Sequence, residues 1–195
     1  MLGINDAAIF ITQTIGSLYL LIVLMRFILQ LVRANFYNPL CQFIVKATQP
    51  LLKPLRNVTP NLFGLDMSSL LLALLLQIVL FVVIMMLHGY QAFTVLLLPW
   101  GLIGIFSLFL KIIFWSMIIS VILSWVTPDS RSTGAELVTQ ITEPVLAPFR
   151  RLIPNLSGID ISPIFVFIVM QLLQSWVIPR LAYYALMPKE LFGLI

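Results

Sequence analysis

A stretch of some twenty residues occurs twice in this chain, and each copy runs into a long apolar segment. The first reads Thr48-Gln-Pro-Leu-Leu-Lys-Pro-Leu-Arg-Asn-Val-Thr-Pro-Asn-Leu-Phe-Gly-Leu-Asp-Met-Ser68. The second reads Thr142-Glu-Pro-Val-Leu-Ala-Pro-Phe-Arg-Arg-Leu-Ile-Pro-Asn-Leu-Ser-Gly-Ile-Asp-Ile-Ser162. Extended to Gln77 and Gln171, the ungapped match is twelve identities in thirty. An internal repeat constrains architecture before any other feature. The chain therefore divides into a first unit, residues 1–91, and a second, residues 92–195.

The solvent for these units follows from composition. The chain is 61% hydrophobic and 9% charged, with a mean hydropathy of +1.10. A soluble domain carries roughly a quarter charged residues, so the lipid bilayer must face most of this surface. The formal charge of +4 is spread over few groups and gives no footprint for nucleic acid. The single cysteine, Cys41, excludes an intrachain disulfide and a thiolate metal cluster, and reads as a small apolar filler. The N-terminus lacks the basic region of a signal peptide, so the apolar run from Ala8 reads as a retained span.

Four spans are expected, at about 8–32, 68–87, 102–126 and 162–186. Each approaches or exceeds the ~20 residues needed to cross ~30 Å of hydrocarbon. The apolar stretch 92–100, interrupted by Pro99 and followed by Gly101, reads either as interfacial or as an extension of the third span. Lys and Arg in short loops set orientation. Arg33, Lys46, Lys53 and Arg56 lie between the first two spans, and Arg131, Arg150 and Arg151 between the last two. Against these seven stand only Arg180 and Lys189 near the C-terminus. Both repeated loops are thus expected in the cytoplasm, and both termini outside. Each unit holds two spans, so both copies insert the same way round, as parallel repeats.

The repeated loops carry structure of their own. Leu40, Phe43, Ile44, Ala47 and Leu51 recur at helical spacing, as do Leu137, Val138, Ile141 and Val145. Such segments beside a membrane lie in the interface, here at about 39–57 and 134–153. Pro50, Pro54 and Pro60, and then Pro144, Pro148 and Pro154, are expected to break each helix before a basic turn. The fold class is therefore an all-α membrane protein. It has four transmembrane helices from two parallel repeats, each with a cytoplasmic interfacial amphipathic helix and a proline-rich turn.

Gly64-x-Asp66-x-Ser68 and Gly158-x-Asp160-x-Ser162 stand where loop becomes span. Capping explains them: Ser162 before Pro163 resembles an N-cap, Asp160 adds negative charge near the helix N-terminus, and glycine permits the tight turn. Arg56 and Arg150 each precede their aspartate by ten residues. Pairs Arg56–Asp66 and Arg150–Asp160 are expected to fold the loops back, and the arginines could also hold a headgroup phosphate. Gln77 and Gln171 occupy equivalent places roughly 13 Å into their helices at ~1.5 Å per residue. They read either as interhelical glue or, with Gln174 nearby, as lining of a narrow path. Arg26 shares a stripe with Gln30 and Arg33, and snorkelling to headgroups accounts for it. Lys111 lies deep in the third span and either snorkels outward or meets a polar group inside the protein. Ser116, Ser120 and Ser124 form a small-residue ridge suited to a close helix contact. Tyr90, Trp100, Tyr183 and Tyr184 read as an outer aromatic belt, and Tyr37 and Trp125 as an inner one. The lone histidine, His88, excludes a bis-histidine haem site within one chain. No nucleophile–base constellation, phosphate loop or metal spacing is present, so neither an enzyme nor a cofactor is expected.

The doubled Thr-[Gln/Glu]-Pro-x-Leu-x-Pro-x-Arg text, continuing through Pro to Gly-x-Asp-x-Ser, with Ser124-Trp125 before the second copy, resembles the YggT family, also called YlmG. The resemblance covers nearly the whole chain and is to the two-repeat proteobacterial form. It implies a bacterial inner-membrane location. It also implies a connection with membrane-complex maturation in chloroplasts (haem attachment to a cytochrome b included), with cell division or nucleoid distribution, or with osmotic tolerance. It carries over no catalytic residue. Two functions are weighed. One is a non-enzymatic scaffold or assembly factor whose basic face meets a membrane or cytoplasmic protein, or anionic lipid headgroups. The other is a small ion or solute conduit using Gln77, Gln171 and Lys111. A homo-oligomer is compatible with either.

Overall fold

The computed structural model describes residues 2–57, 59, 66–91, 94–126, 132–152 and 160–195. The described residues are helical, joined by short turns: α1 (Leu2–Leu31), α2 (Pro39–Arg56), α3 (Met67–Leu87), α4 (Leu97–Val126), α5 (Thr133–Leu152), α6 (Ser162–Leu172), a π-helical turn (Leu173–Val177), α7 (Ile178–Tyr184) and a final 3₁₀ turn (Lys189–Leu194). Four stretches are long and apolar enough to cross a membrane: Gly3–Leu31, Met67–Leu87, Leu97–Val126 and Ser162–Tyr184.

The helix of the third span begins at Leu97, so 97–100 extends it, the second of the two readings of that stretch; Pro99 falls in the first turn, where no intrahelical N–H is required. The fourth is not one regular helix. Pro179 removes the N–H that residue 175 would bond and crowds its carbonyl, and the chain widens into the π turn just before it.

The expected proline breaks are absent within α2 and α5. Pro50 and Pro54 lie inside α2, and Pro144 and Pro148 inside α5. Each pair is spaced by four, so both rings share one face, and all four are exposed. The carbonyls they deprive of partners therefore lie away from the packed side and remain free to be solvated. Pro39 opens α2 at its first position, with the Asn38 side chain accepting from Leu40 N at 2.9 Å. At the other end of α3, Gly89 takes φ +78° and Tyr90 N bonds back to Met85 O, a left-handed cap that suits glycine.

Cys41, Thr48 and Leu52 form the buried stripe of α2, and Leu137, Ile141, Thr142 and Leu146 that of α5. Cys41 and Leu52 belong to one core cluster with Val23, Leu24 and Ile28 of α1, Leu72 and Ala73 of α3, Ile105 and Ile112 of α4, and Leu137 and Ile141 of α5. Leu146 instead meets Leu110 and Met117 of α4, Val166 and Met170 of α6, and Ile178 of α7. Cys41 is fully buried, and burial pushes its thiol up, as befits a filler. Helix association inside lipid depends on such close packing rather than on a hydrophobic gain.

The two units meet along α3 and α4, with α1 against both, while α6 and α7 pack on α4. Among the described residues no comparable contact joins α1 to α6, so the units follow one another in a row and do not close around a twofold axis. Trp100 is a correction to the outer belt. Only 3% exposed, it donates from Nε1 to Ala185 O at 2.7 Å and ties the segment after α7 back to α4. Tyr90, Tyr183, Tyr184, Tyr37 and Trp125 are exposed as the belts require.

Candidate functional site

The repeated text builds two charged junctions, one per unit, and they are not alike. In the first, the carboxylate of Asp66, at 1% exposure, stands at the start of α3. Its Oδ2 accepts from Arg56 Nη2 at 2.8 Å and from Ser69 Oγ at 2.9 Å. Arg26 Nε lies 3.7 Å away on the other side. Arg26 comes from the last third of α1 and is 5% exposed. Its Nη1 donates to Thr48 Oγ1 at 2.7 Å and Val45 O at 3.2 Å, and Nη2 reaches Gln49 Oε1 at 3.4 Å. The snorkelling expected for Arg26 is therefore replaced by an internal role. The guanidinium joins α1, α2 and the start of α3, since α2 presents hydroxyl, carbonyl and amide oxygens where headgroups would otherwise be needed. Ser68, buried beside this cluster, shares a short hydrogen bond with Thr59.

In the second junction Arg150 donates from Nε to Asp160 Oδ2 at 2.8 Å, and from Nη1 to both carboxylate oxygens of Glu143 at 2.9 and 2.7 Å. These groups are half exposed, with Arg150 at 41% and Asp160 at 32%. The expected Ser162 cap is replaced by its neighbour: Asp160 Oδ1 accepts from Ser162 N at 2.9 Å, while the Ser162 hydroxyl is buried without a partner. Gly64 and Gly158 of the repeated motif lie outside the described residues, as do Pro60, Pro154 and Arg131.

Electrostatics follow the geometry. Burial drives the Asp66 carboxyl upward, but the hydrogen bonds from Arg56 and Ser69 and the charges of Arg56 and Arg26 outweigh it, holding it below the usual carboxylate range. Asp160 behaves alike, with Arg150 and the Ser162 N–H overcoming its smaller burial. Arg150 is raised in turn by Asp160 and then Glu143.

The candidate intramembrane polar groups do not gather into one path. Gln77 is buried at 1% between α3 and α4, neither atom of its amide has a partner, and it packs against Gly104. Gln171 is not its structural equivalent. It is exposed and donates to Ser175 Oγ at 3.0 Å, because α6 has no helix covering the face that α4 covers on α3. Gln174 Nε2 is a further buried atom without a partner, inside the π turn. Lys111 Nζ donates to Ile195 O at 2.7 Å, meeting a polar group inside the protein. Of the serine ridge, Ser116 is buried, whereas Ser120 and Ser124 border a cavity.

Sequence reasoning found both arginine–aspartate pairs, singled out Arg26 but gave it to the headgroups, and missed Thr48, Gln49, Thr59 and Glu143. A signal for Arg26 was present in the repeat itself. It stands 94 residues before Ser120, so only one of the two units carries a cation at that depth.

Comparison with known proteins accords with this geometry. The CCB3/YggT family profile matches twice, over residues 5–87 and 99–181, with the same 94-residue offset between copies. An uncharacterized protein of Pseudomonas aeruginosa is 58% identical over 193 residues, covering 98% of each chain. An uncharacterized Vibrio alginolyticus protein is 40% identical over 83% of this chain and 88% of its own. The Escherichia coli K12 protein YggT, also uncharacterized, is 34% identical over 86% of this chain and 87% of its own. No solved structure matches. With two profile matches in register and relatives aligned along most of their length, the chain belongs to the CCB3/YggT family and is a two-repeat membrane protein of it.

Proposed function

We propose that this protein is a non-enzymatic scaffold or assembly factor of the bacterial inner membrane, with both termini periplasmic. Its amphipathic helices α2 and α5 would offer a basic cytoplasmic face to a membrane complex, to division machinery or to anionic lipid. The observation that carries this reading is the joining of α2 and α5 into one surface. Asn38 Nδ2 donates to Thr133 O at 2.6 Å, and Asn35 N donates to Gln140 Oε1 at 3.3 Å. Away from the packed stripes, that surface exposes Lys46, Lys53, Arg56, Arg150 and Arg151, with Leu40, Phe43 and Leu51 among them. Juxtamembrane cations attract anionic headgroups at about 1 kcal/mol each, and exposed apolar side chains beside them suit a protein contact.

The conduit reading keeps Gln77 and loses Gln171, so it is the weaker one. Changing Lys46, Lys53 and Arg151 together to glutamate should leave insertion intact. It should abolish complementation of a deletion strain under osmotic challenge. Full complementation by an inserted triple variant would sink the scaffold reading. Reporter fusions at the two ends test sidedness, and a cytoplasmic signal from either would reverse it.

A further inference from the structure

The two units are in register at an offset of 94 residues, which makes the first junction a template for the second. Thr48, Arg56, Asp66 and Ser68 return as Thr142, Arg150, Asp160 and Ser162. Four positions change in chemistry: Arg26 becomes Ser120, Gln49 becomes Glu143, Thr59 becomes Ile153 and Ser69 becomes Pro163. The first junction therefore holds two cations and one anion (Arg26, Arg56, Asp66), a net +1. The second holds one cation and two anions (Arg150, Glu143, Asp160), a net −1.

Space changes with charge. Where the Arg26 guanidinium fills the first junction, the second has a cavity of about 550 Å³ bordered by Ser120 and Ser124. Arg150 and Asp160 form its polar end, and Met117, Val121, Ile164 and Phe167 its apolar wall. The buried Ser162 hydroxyl lies outside this lining and has no partner, since Thr59, which bonds its counterpart Ser68, is replaced in the sequence by Ile153. At the cavity the second unit thus keeps the aspartate, presents the Ser120 and Ser124 hydroxyls, and exchanges the cation for room, while Glu143 is taken up by Arg150.

We propose that this cavity binds the headgroup of a zwitterionic aminophospholipid. Its primary ammonium lies beside Ser120, whose equivalent position Arg26 holds in the first unit, between Asp160 and the Ser120 and Ser124 hydroxyls. The phosphodiester lies toward Arg150, and the acyl chains run along Met117, Val121, Ile164 and Phe167. The wall selects this occupant over an arginine supplied by another protein. It lies on helices that cross the membrane, so the occupant must bring a cation and long apolar chains together. A peptide would bring backbone N–H and C=O groups that this wall cannot satisfy. The inference does not depend on the scaffold reading.

The test uses the full-length protein in detergent, titrated with phosphatidylethanolamine, phosphatidylcholine or phosphatidylglycerol and read by native mass spectrometry and thermal shift. Phosphatidylethanolamine should bind about tenfold or more tighter than phosphatidylcholine, whose quaternary ammonium cannot donate the charge-assisted hydrogen bonds. Ser120→Arg should restore the first unit's pattern and remove that preference, while Ser120→Ala should keep it. Asp160→Asn provides a second variant that should also lose the preference. Equal binding of the ethanolamine and choline lipids would overturn the proposal. So would an unchanged preference in a folded Ser120→Arg or Asp160→Asn protein. Tighter binding of phosphatidylglycerol would overturn it too, by making the phosphate the recognised group.

Discussion

Alanine at Asp66 is expected to cost about 3–5 kcal/mol of stability, whereas alanine at Asp160 should cost less than about 1 kcal/mol. The sequence treats these residues as equivalents, and the structure separates them by burial. Removing the Asp66 carboxylate leaves the Arg26 guanidinium, buried at 5% exposure, without its anion. Arg56 is half exposed and would turn outward. In the second unit Arg150 keeps Glu143 and is itself open to solvent, so loss of Asp160 leaves no buried charge. Arg26→Met combined with Asp66→Asn should recover much of the loss, because a buried charge is then no longer orphaned. Reversible denaturation in mixed micelles measures all four proteins. Equal losses at Asp66 and Asp160 would refute the internal role of Arg26.

The same comparison has a pH signature. The folded Asp66 carboxyl titrates below its unfolded value of ~3.9. Its contribution is therefore complete above that value and is lost as pH falls through the lower, folded one. Stability should stay flat from about pH 8 to 5 and decline in acid below about pH 4. Asp66→Asn should remove most of that decline.

What the sequence made legible were features that depend on local order. Four apolar runs, the duplicated loops and the ten-residue Arg–Asp spacing need only the periodicity of a helix and the reach of a side chain. What stayed hidden depended on which faces meet. Gln77 and Gln171 are equivalent in text, but α4 covers one and nothing comparable covers the other, because the units sit in a row. Arg26 reads as a snorkelling residue until α2 is seen to run back across α1 and present Thr48 and Gln49 to it. The prolines misled for a related reason. Their usual effect assumes that the lost carbonyl partners must be replaced within the protein, and on the open side of α2 and α5 they need not be.

The α3–α4 contact carries the second large expectation. A Cβ added to Gly104 would stand 2.9 Å from Gln77 Cδ, and the amide beyond it is enclosed. Gly104→Val should therefore cost about 1–3 kcal/mol or more through overpacking, and Gln77→Ala in the same chain should recover part of it by clearing the amide. Gln77→Leu alone should do the opposite. Both amide atoms are buried without partners, so replacing them with methyl groups of similar shape removes a desolvation penalty of about 1–3 kcal/mol. A leucine variant as stable as wild type or more so, with complementation unchanged, would leave Gln77 no role in a path. A more stable variant that fails to complement would show the amide kept at the expense of stability, as functional groups often are. It would then return the conduit reading to first place, with α3 and α4 as its walls. A destabilised leucine variant would contradict the packing described here, since it would mean that the amide has partners in the membrane.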